Sequence, residues 1–210
     1  DAGDIEAQGL INIFILADAT LGGKSKALEQ SELISEKGSL YGQIALAHAY
    51  ESGWGVEKNE VKAQEYYAKT LGRLQERSDS NDPIAMSVLA YRFYKGTGVT
   101  KNPNRAFMMN KSSAELGYIP AQFIIAYLYL HGEGVGKDEA EAVKWLRRAA
   151  ELGYSLAQNS LGDLYQVGIG VSKEASEAVK WYRKAAEQGN ASAQCNLGYC
   201  YQVGIGVSKE

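Results

Sequence analysis

Histidine, cysteine and proline are scarce in this 210-residue chain, with two, two and three copies respectively. A structural or catalytic metal site needs three or four converging ligands. His48 and His131 lie two or more repeats apart with no ligand-spaced companions, so no metal site is expected and both read as surface or groove residues. Cys195 and Cys200 lie five apart on one predicted helix, where side chains diverge by roughly 140°. That geometry does not let them bridge each other; free, partly buried thiols are the simpler expectation, and pairing beyond Glu210 the alternative. Few prolines leave long stretches free to be helical. Charge of one sign is also missing: the formal net charge is −3. A nucleic-acid binder needs a concentrated basic face, so that partner class is excluded. The longest apolar run, GLINIFILADA, is well short of the ~20 residues of a membrane helix and lacks the basic flank of a signal peptide. The chain is expected to be soluble, with no membrane insertion, as a mature or trimmed form. No cofactor is implied. No Ser-His-Asp set and no paired carboxylates stand out, so the chain is not expected to be an enzyme.

What is present is a period. The segment AQNSLGDLYQVGIGVSKEASEAVKWYRKAAEQGNAS (157–192) realigns after 36 residues with AQCNLGYCYQVGIGVSKE from Ala193. It also matches the segments starting at Ala121 and Ala85. The unit before these starts at Gly42 and holds about seven extra residues around LGRLQERSDS, and a degenerate unit begins near Ala7 with Ala27 and Gly38 in register. Residues 1–210 thus read as one domain of units 7–41, 42–84, 85–120, 121–156, 157–192 and a partial 193–210.

Each unit spells a helix–turn–helix hairpin. Leu161, Gly162 and Tyr165 fall at helical spacing, with a small residue beside two large ones, so that side of the helix can approach a neighbour closely. Gly168 suits the left-handed position that ends a helix. Gly170 and Val171 make a tight connection that turns Val171 inward. A second helix from about Ala175 buries Ala178, Trp181 and Ala185, and Gly189 closes it. One hairpin is too small to bury its own apolar face, so neighbours must stack. The fold class is therefore all-α: an α-solenoid of about five repeats plus a terminal half repeat. The paired glycines, such as Gly132/Gly134, have no preceding strand and no third glycine at the spacing of a phosphate loop, so they read as turns. Tyr50, Phe93, Tyr129, Tyr165 and Tyr201 share one repeat position and Trp145 and Trp181 another, which marks them as packing residues. Trp54, between two turn glycines, is expected to be exposed. The extra residues at Leu71–Ser80 either lengthen one helix by about two turns or form a loop; register adjustment is slightly favoured over a second contact site. Asn110 and Asn190 fit the glycosylation pattern, but the match carries little weight because Asn110 falls inside a predicted helix.

The pattern A-Q-x-x-L-G-x-x-Y-x-x-G-x-G-V followed by A-x-x-W-x-x-x-A-A-E-x-G resembles the Sel-1-like repeat family, a relative of tetratricopeptide repeats. The resemblance is strong over 85–210, fair over 42–84 and weak before that. It implies a right-handed superhelix that serves as a non-catalytic scaffold or adaptor for a protein or peptide partner. It also slightly favours a bacterial secreted or periplasmic, or host-interaction, setting. The subgroup that staples each repeat with a disulfide has cysteines at repeating positions; this chain does not. In the resembled superhelix the first helix of each unit lines the concave face. Two residues past the conserved leucine, the position holds His48, Tyr91, Tyr127, Asp163 and Tyr199. Three further on lie Glu51, Tyr94, Leu130, Gln166 and Gln202, and two before the leucine lie Ile44, Ser87, Phe123, Asn159 and Cys195. A partner groove centred on Tyr91, Tyr94, Phe123, Tyr127 and Leu130 follows, because exposed aromatics are favoured where they contact something. Glu51, Lys95 and Asp163 would set specificity, with His48, His131 and Tyr199 on the same face. The alternative is that these side chains pad the inner wall of a tight superhelix. A structural spacer in a longer protein, and a small-ligand binder or hydrolase, are the rival functions. The second YQVGIGVSKE (201–210) reaches the turn with no second helix after it. The natural chain is therefore expected to continue past Glu210, or to cover its bare end by self-association or another molecule.

Overall fold

A computed structural model describes residues 21–206, with side chains from residue 26 onward. The apolar run at Gly9–Ala19, the start of the degenerate unit near Ala7 and the last four residues lie outside the described residues. Ten α-helices and no strand occur among the described residues: α1 (Leu21–Glu36), α2 (Leu40–Ser52), α3 (Glu60–Asp79), α4 (Pro83–Lys95), α5 (Pro103–Glu115), α6 (Ile119–His131), α7 (Glu139–Glu151), α8 (Ser155–Val167), α9 (Ala175–Glu187) and α10 (Ala191–Val203). They pair into the antiparallel hairpins of an α/α superhelical repeat fold, with α2 against α3, α6 against α7 and α8 against α9. The chain forms two compact units. One comprises Asp1–Ser80 with Lys95–Lys101, the other Asn81–Tyr94 with Asn102–Glu210.

The hairpin turn is built the same way each time. The first helix ends in a glycine of left-handed conformation at Gly53, Gly132, Gly168 and Gly204, where an L side chain would be strained. The chain then returns so that the residue before the second helix donates its backbone N–H to the carbonyl of the aromatic repeat position. The bonds are Asn59 to Tyr50 (2.8 Å), Asn102 to Phe93 (2.7 Å), Asp138 to Tyr129 (3.0 Å) and Glu174 to Tyr165 (2.9 Å). At Asn59, Asn102 and Asp138 the side chain also accepts a backbone N–H of the new helix, a standard N-cap. The second turn glycine answers a packing need: a methyl group on Gly134 or Gly170 would overlap the carbonyl of Pro103 or Glu139, at the start of the second helix one repeat earlier.

The predicted stripe is buried, with Ala178, Trp181 and Ala185 at 1%, 7% and 0% exposure. In the second unit Ala178 and Trp181 join one core with Leu146, Leu161 and Tyr182, against which Val171 packs half-buried. The first unit buries Ala27, Leu46 and Ala49 in one cluster and Ala47, Ala63 and Tyr67 in another. The inserted residues lengthen a helix: α3 runs 20 residues where the second helices α5, α7 and α9 run 13, two extra turns. Three expectations need correction. Trp54 is half-buried against the first unit's core, because the turn folds back on the hairpin. Tyr201 is 47% exposed although it shares its position with buried Tyr165. Ile44, read as a groove position, is fully buried.

Candidate functional site

The inner positions of the first helices form three distinct local environments. In the second unit, Tyr91 and Tyr94 of α4 face Ile124 and Tyr127 of α6 across an apolar cleft of about 130 Å³. Tyr91 and Tyr127 are 40% and 44% exposed, so they form its rim. The floor is Asn110 of α5, itself buried, whose Oδ1 accepts a hydrogen bond from Ser87 Oγ at 3.0 Å. A buried amide tied down this way is satisfied on its oxygen and keeps the floor polar at one point only. Tyr94 hydrogen-bonds Glu133. That bond, then burial, pushes its hydroxyl up to about 12, so it remains a neutral donor.

One repeat further on, the aromatic position becomes a carboxylate. Asp163 Oδ1 accepts from Tyr182 Oη (2.7 Å) and from Asn196 Nδ2 (3.1 Å), and Asn159 Nδ2 donates to Oδ2 at 3.3 Å. Asn196 also donates to Asn159 Oδ1 at 3.1 Å, which links α8 to α10. Burial raises the Asp163 pKa and the Tyr182 bond opposes it. Tyr182, fully buried, is driven far upward by burial and by that carboxylate. Every hydrogen-bond donor to Asp163 is neutral; among the described residues no cation reaches it.

The first unit holds the equivalent arrangement on α2 and α3. Tyr67, buried at the repeat position of Tyr182, donates to Glu51 Oε2 at 2.8 Å and lies 3.2 Å from His48 Nδ1. His48 and Glu51 are 3.6 Å apart. The hydrogen bond with His48 is the main cause that holds Glu51 below the usual carboxylate range, with Tyr67 and the charge of Lys95 helping and burial opposing.

The structure brings Tyr91, Tyr94 and Tyr127 together and leaves Phe123 and Leu130 outside the cleft. Phe123 turns edge-on to Tyr154, with centroids 5.6 Å apart. Leu130 packs half-buried against the second unit's core. His131 is exposed, with its ring 4.2 Å from that of Tyr127. Lys95 is exposed, and Tyr199 projects from α10 with 52% exposure. Sequence reasoning missed Asn110 and Tyr182 because it read only the first helices. The signal was available: one position of the second helices holds Tyr67, Asn110, Leu146 and Tyr182, and the residue there decides what the inner face can anchor. Among the described residues no group of three or more His, Cys, Asp or Glu side chains could hold a metal. No described helix is long and apolar enough to cross a membrane. Cys195 is exposed and Cys200 buried, both as free thiols. Asn110 is buried and Asn190 caps α10, its side chain accepting from Ala193 N.

With this geometry in view, the chain was compared with known proteins. The Sel1 repeat pattern matches residues 40–70, 83–118, 119–154, 155–190 and 191–210. Among solved structures, a Sel1 repeat protein from Oxalobacter formigenes is 31% identical with a TM-score of 0.61, over 89% of this chain and 74% of its own. A protective antigen of uropathogenic Escherichia coli strains, displaying an SLR fold, is 30% identical with a TM-score of 0.60. The match covers 98% of this chain but 43% of the antigen, so the chain spans less than half of that protein's length. An immunity protein from Pseudomonas aeruginosa shares the fold at 24% identity, with a TM-score of 0.59 over 90% of this chain and 68% of its own. No curated protein gave a significant match. Proteins built from these repeats are in general protein-interaction scaffolds and typically non-catalytic.

Proposed function

The chain belongs to the Sel1 repeat family, and from that premise we propose that it is a non-catalytic adaptor that binds a protein or peptide through the inner face of its first helices. The observation that carries this reading is the cleft bounded by Tyr91, Tyr94 and Tyr127. Two tyrosines are each about two-fifths exposed beside an apolar recess. Large aromatic rings left in water gain by burial against a partner, and tyrosine's polar tip lets it serve a rim. His131 and Tyr199 are exposed and available to the same partner. The same reading takes residues 1–210 as one run of repeats, and a bacterial secreted, periplasmic or host-interaction setting is in keeping with the antigen relative.

The test is a pull-down with wild type, the double variant Tyr91→Ala/Tyr127→Ala and the control Met108→Ala, whose site is exposed on α5 away from the cleft lining. Quantitative mass spectrometry is expected to find a partner recovered by wild type and control and lost from the double variant. Equal recovery by all three would remove the cleft from the function.

A further inference from the structure

The inner face of the second unit changes chemistry within a single repeat. On α4 and α6 it presents tyrosines around an apolar recess. On α8 and α10 the corresponding positions hold Asn159, Asp163, Gln166, Cys195, Tyr199 and Gln202, among which Asp163 is the one carboxylate. Its two oxygens are fixed by Tyr182, Asn159 and Asn196, all neutral donors. Asp163 is exposed, so its charge is open to a partner's cation. Here the orientation is fully prepared, yet among the described residues no cation is supplied.

Resting on the proposed adaptor role, we infer that this face reads a bipartite peptide, with an apolar side chain seated in the Tyr91–Tyr127 cleft and a lysine or arginine on Asp163. The cleft sets the size of the first anchor. A cavity of about 150 Å³ with apolar walls accepts benzene, so a cleft of about 130 Å³ is of a size to take a leucine, methionine or phenylalanine side chain. The 36-residue period sets the spacing, because Tyr127 and Asp163 hold equivalent positions on consecutive first helices. The cleft lies between α4 and α6 and Asp163 on the first helix beyond them, so the basic residue stands at one fixed offset from the apolar one. Beyond Asp163, on α10, Asn196 can serve the backbone. Its Nδ2 is committed to Asn159 and Asp163, and its Oδ1, with no protein partner among the described residues, is left to accept a peptide N–H. Charge complementarity favours this occupant over an acidic or phosphorylated one, which Asp163 would repel.

The experiment is selection of a displayed random nonapeptide library on wild type, Asp163→Asn, Asp163→Lys and Tyr127→Ala, with circular dichroism establishing that each variant is folded. Asp163→Asn is isosteric and still accepts from Tyr182. Wild type is expected to enrich an apolar residue with Lys or Arg at one fixed spacing from it. Asp163→Asn is expected to keep the apolar preference and lose the basic one, Asp163→Lys to select Asp or Glu there, and Tyr127→Ala to lose the apolar one. A fluorescein-labelled copy of the top wild-type peptide should bind Asp163→Asn about fivefold more weakly by anisotropy, the scale of a partly exposed charge pair. An apolar preference without a basic one, or a basic preference that survives Asp163→Lys, overturns this inference while the adaptor reading stands. Failure of wild type to enrich any peptide overturns the bipartite-peptide inference, while the adaptor reading is decided by the pull-down. Sedimentation of wild type as a dimer that Asp163→Lys disperses assigns the face to a second copy and also overturns the bipartite-peptide inference.

Discussion

Gly162 and Gly198 occupy the same repeat position, one turn before the aromatic residue of the first helix, and replacing each with alanine separates packing from backbone effects. Both lie inside helices, so alanine gains the same helix propensity at each, about 0.5–1 kcal/mol. Their surroundings differ. A Cβ on Gly162 would sit 2.6 Å from Cε1 and 2.7 Å from Cδ1 of Tyr182, a ring with no exposed surface and a hydroxyl held by Asp163. A Cβ on Gly198 meets nothing within 4 Å. The propensity gain cancels in the comparison, so the difference between the variants isolates overpacking, about 1–3 kcal/mol. The expected result is that Gly198→Ala is more stable than wild type and Gly162→Ala less stable than Gly198→Ala by that amount. Urea unfolding followed by circular dichroism measures it, with the slope m checked for constancy because repeat arrays can lose two-state behaviour. In a thermal scan the gap corresponds to about 2–4 °C per kcal/mol for a chain of this size. The repeat that buries Tyr67 carries Ala47 in its cluster, so an alanine is compatible with a tyrosine where helix spacing is set for it. If the two variants agree within about 0.5 kcal/mol, below the smallest overpacking cost expected, α8 and α9 can adopt that wider spacing freely and the close-packing argument is refuted.

Other perturbations probe the remaining parts of the account. Tyr182→Phe removes the hydroxyl from Asp163 and Gln166 and should cost about 1–3 kcal/mol in urea unfolding, since it strands a partly buried carboxylate; no change would mean that water replaces the bond. Because Glu51 has its pKa lowered in the folded state, chiefly by His48, it contributes stability above the ordinary carboxylate pKa that is lost as pH falls through the lower folded value. The Tm gap between wild type and Glu51→Gln should therefore shrink on acidification below about pH 4.5, and a gap that widens there contradicts the assignment. Gly153→Ala meets only the left-handed backbone, with no atom within 4 Å, and should cost about 1–2 kcal/mol. Gly170→Ala adds overlap with the Glu139 carbonyl and should cost measurably more in the same assay; equal losses would place the strain in the backbone alone.

Much of the fold was legible because the period forces the same physics on every unit. Gly168 announced a left-handed helix end and Ala178, Trp181 and Ala185 a buried stripe, while the residues at Leu71–Ser80 allowed either a longer helix or a loop, of which the helix forms. Burial of individual copies was less legible. Tyr165 and Tyr201 each begin the same ten residues, yet Tyr165 is covered and Tyr201 stands half exposed, with Arg183 bonded to its hydroxyl at 2.7 Å. The period specifies a residue's place within a repeat, while its burial depends on the neighbour that covers it. The candidate site was half legible for a related reason. Departures from the repeat pattern at Tyr91, Tyr94 and Tyr127 pointed to the cleft, but its floor, Asn110, and the anchor of Asp163, Tyr182, come from the second helices. Phe123 sits two residues before the leucine position, on the flank of α6 that turns to Tyr154.

The adaptor reading is tested most directly by the dissociation constant of a captured partner for wild type and for Tyr91→Ala/Tyr127→Ala. Two rim tyrosines acting as binding anchors predict at least about tenfold weaker binding by the double variant, with its Tm unchanged because both rings are exposed. Equal dissociation constants for the two proteins would contradict it.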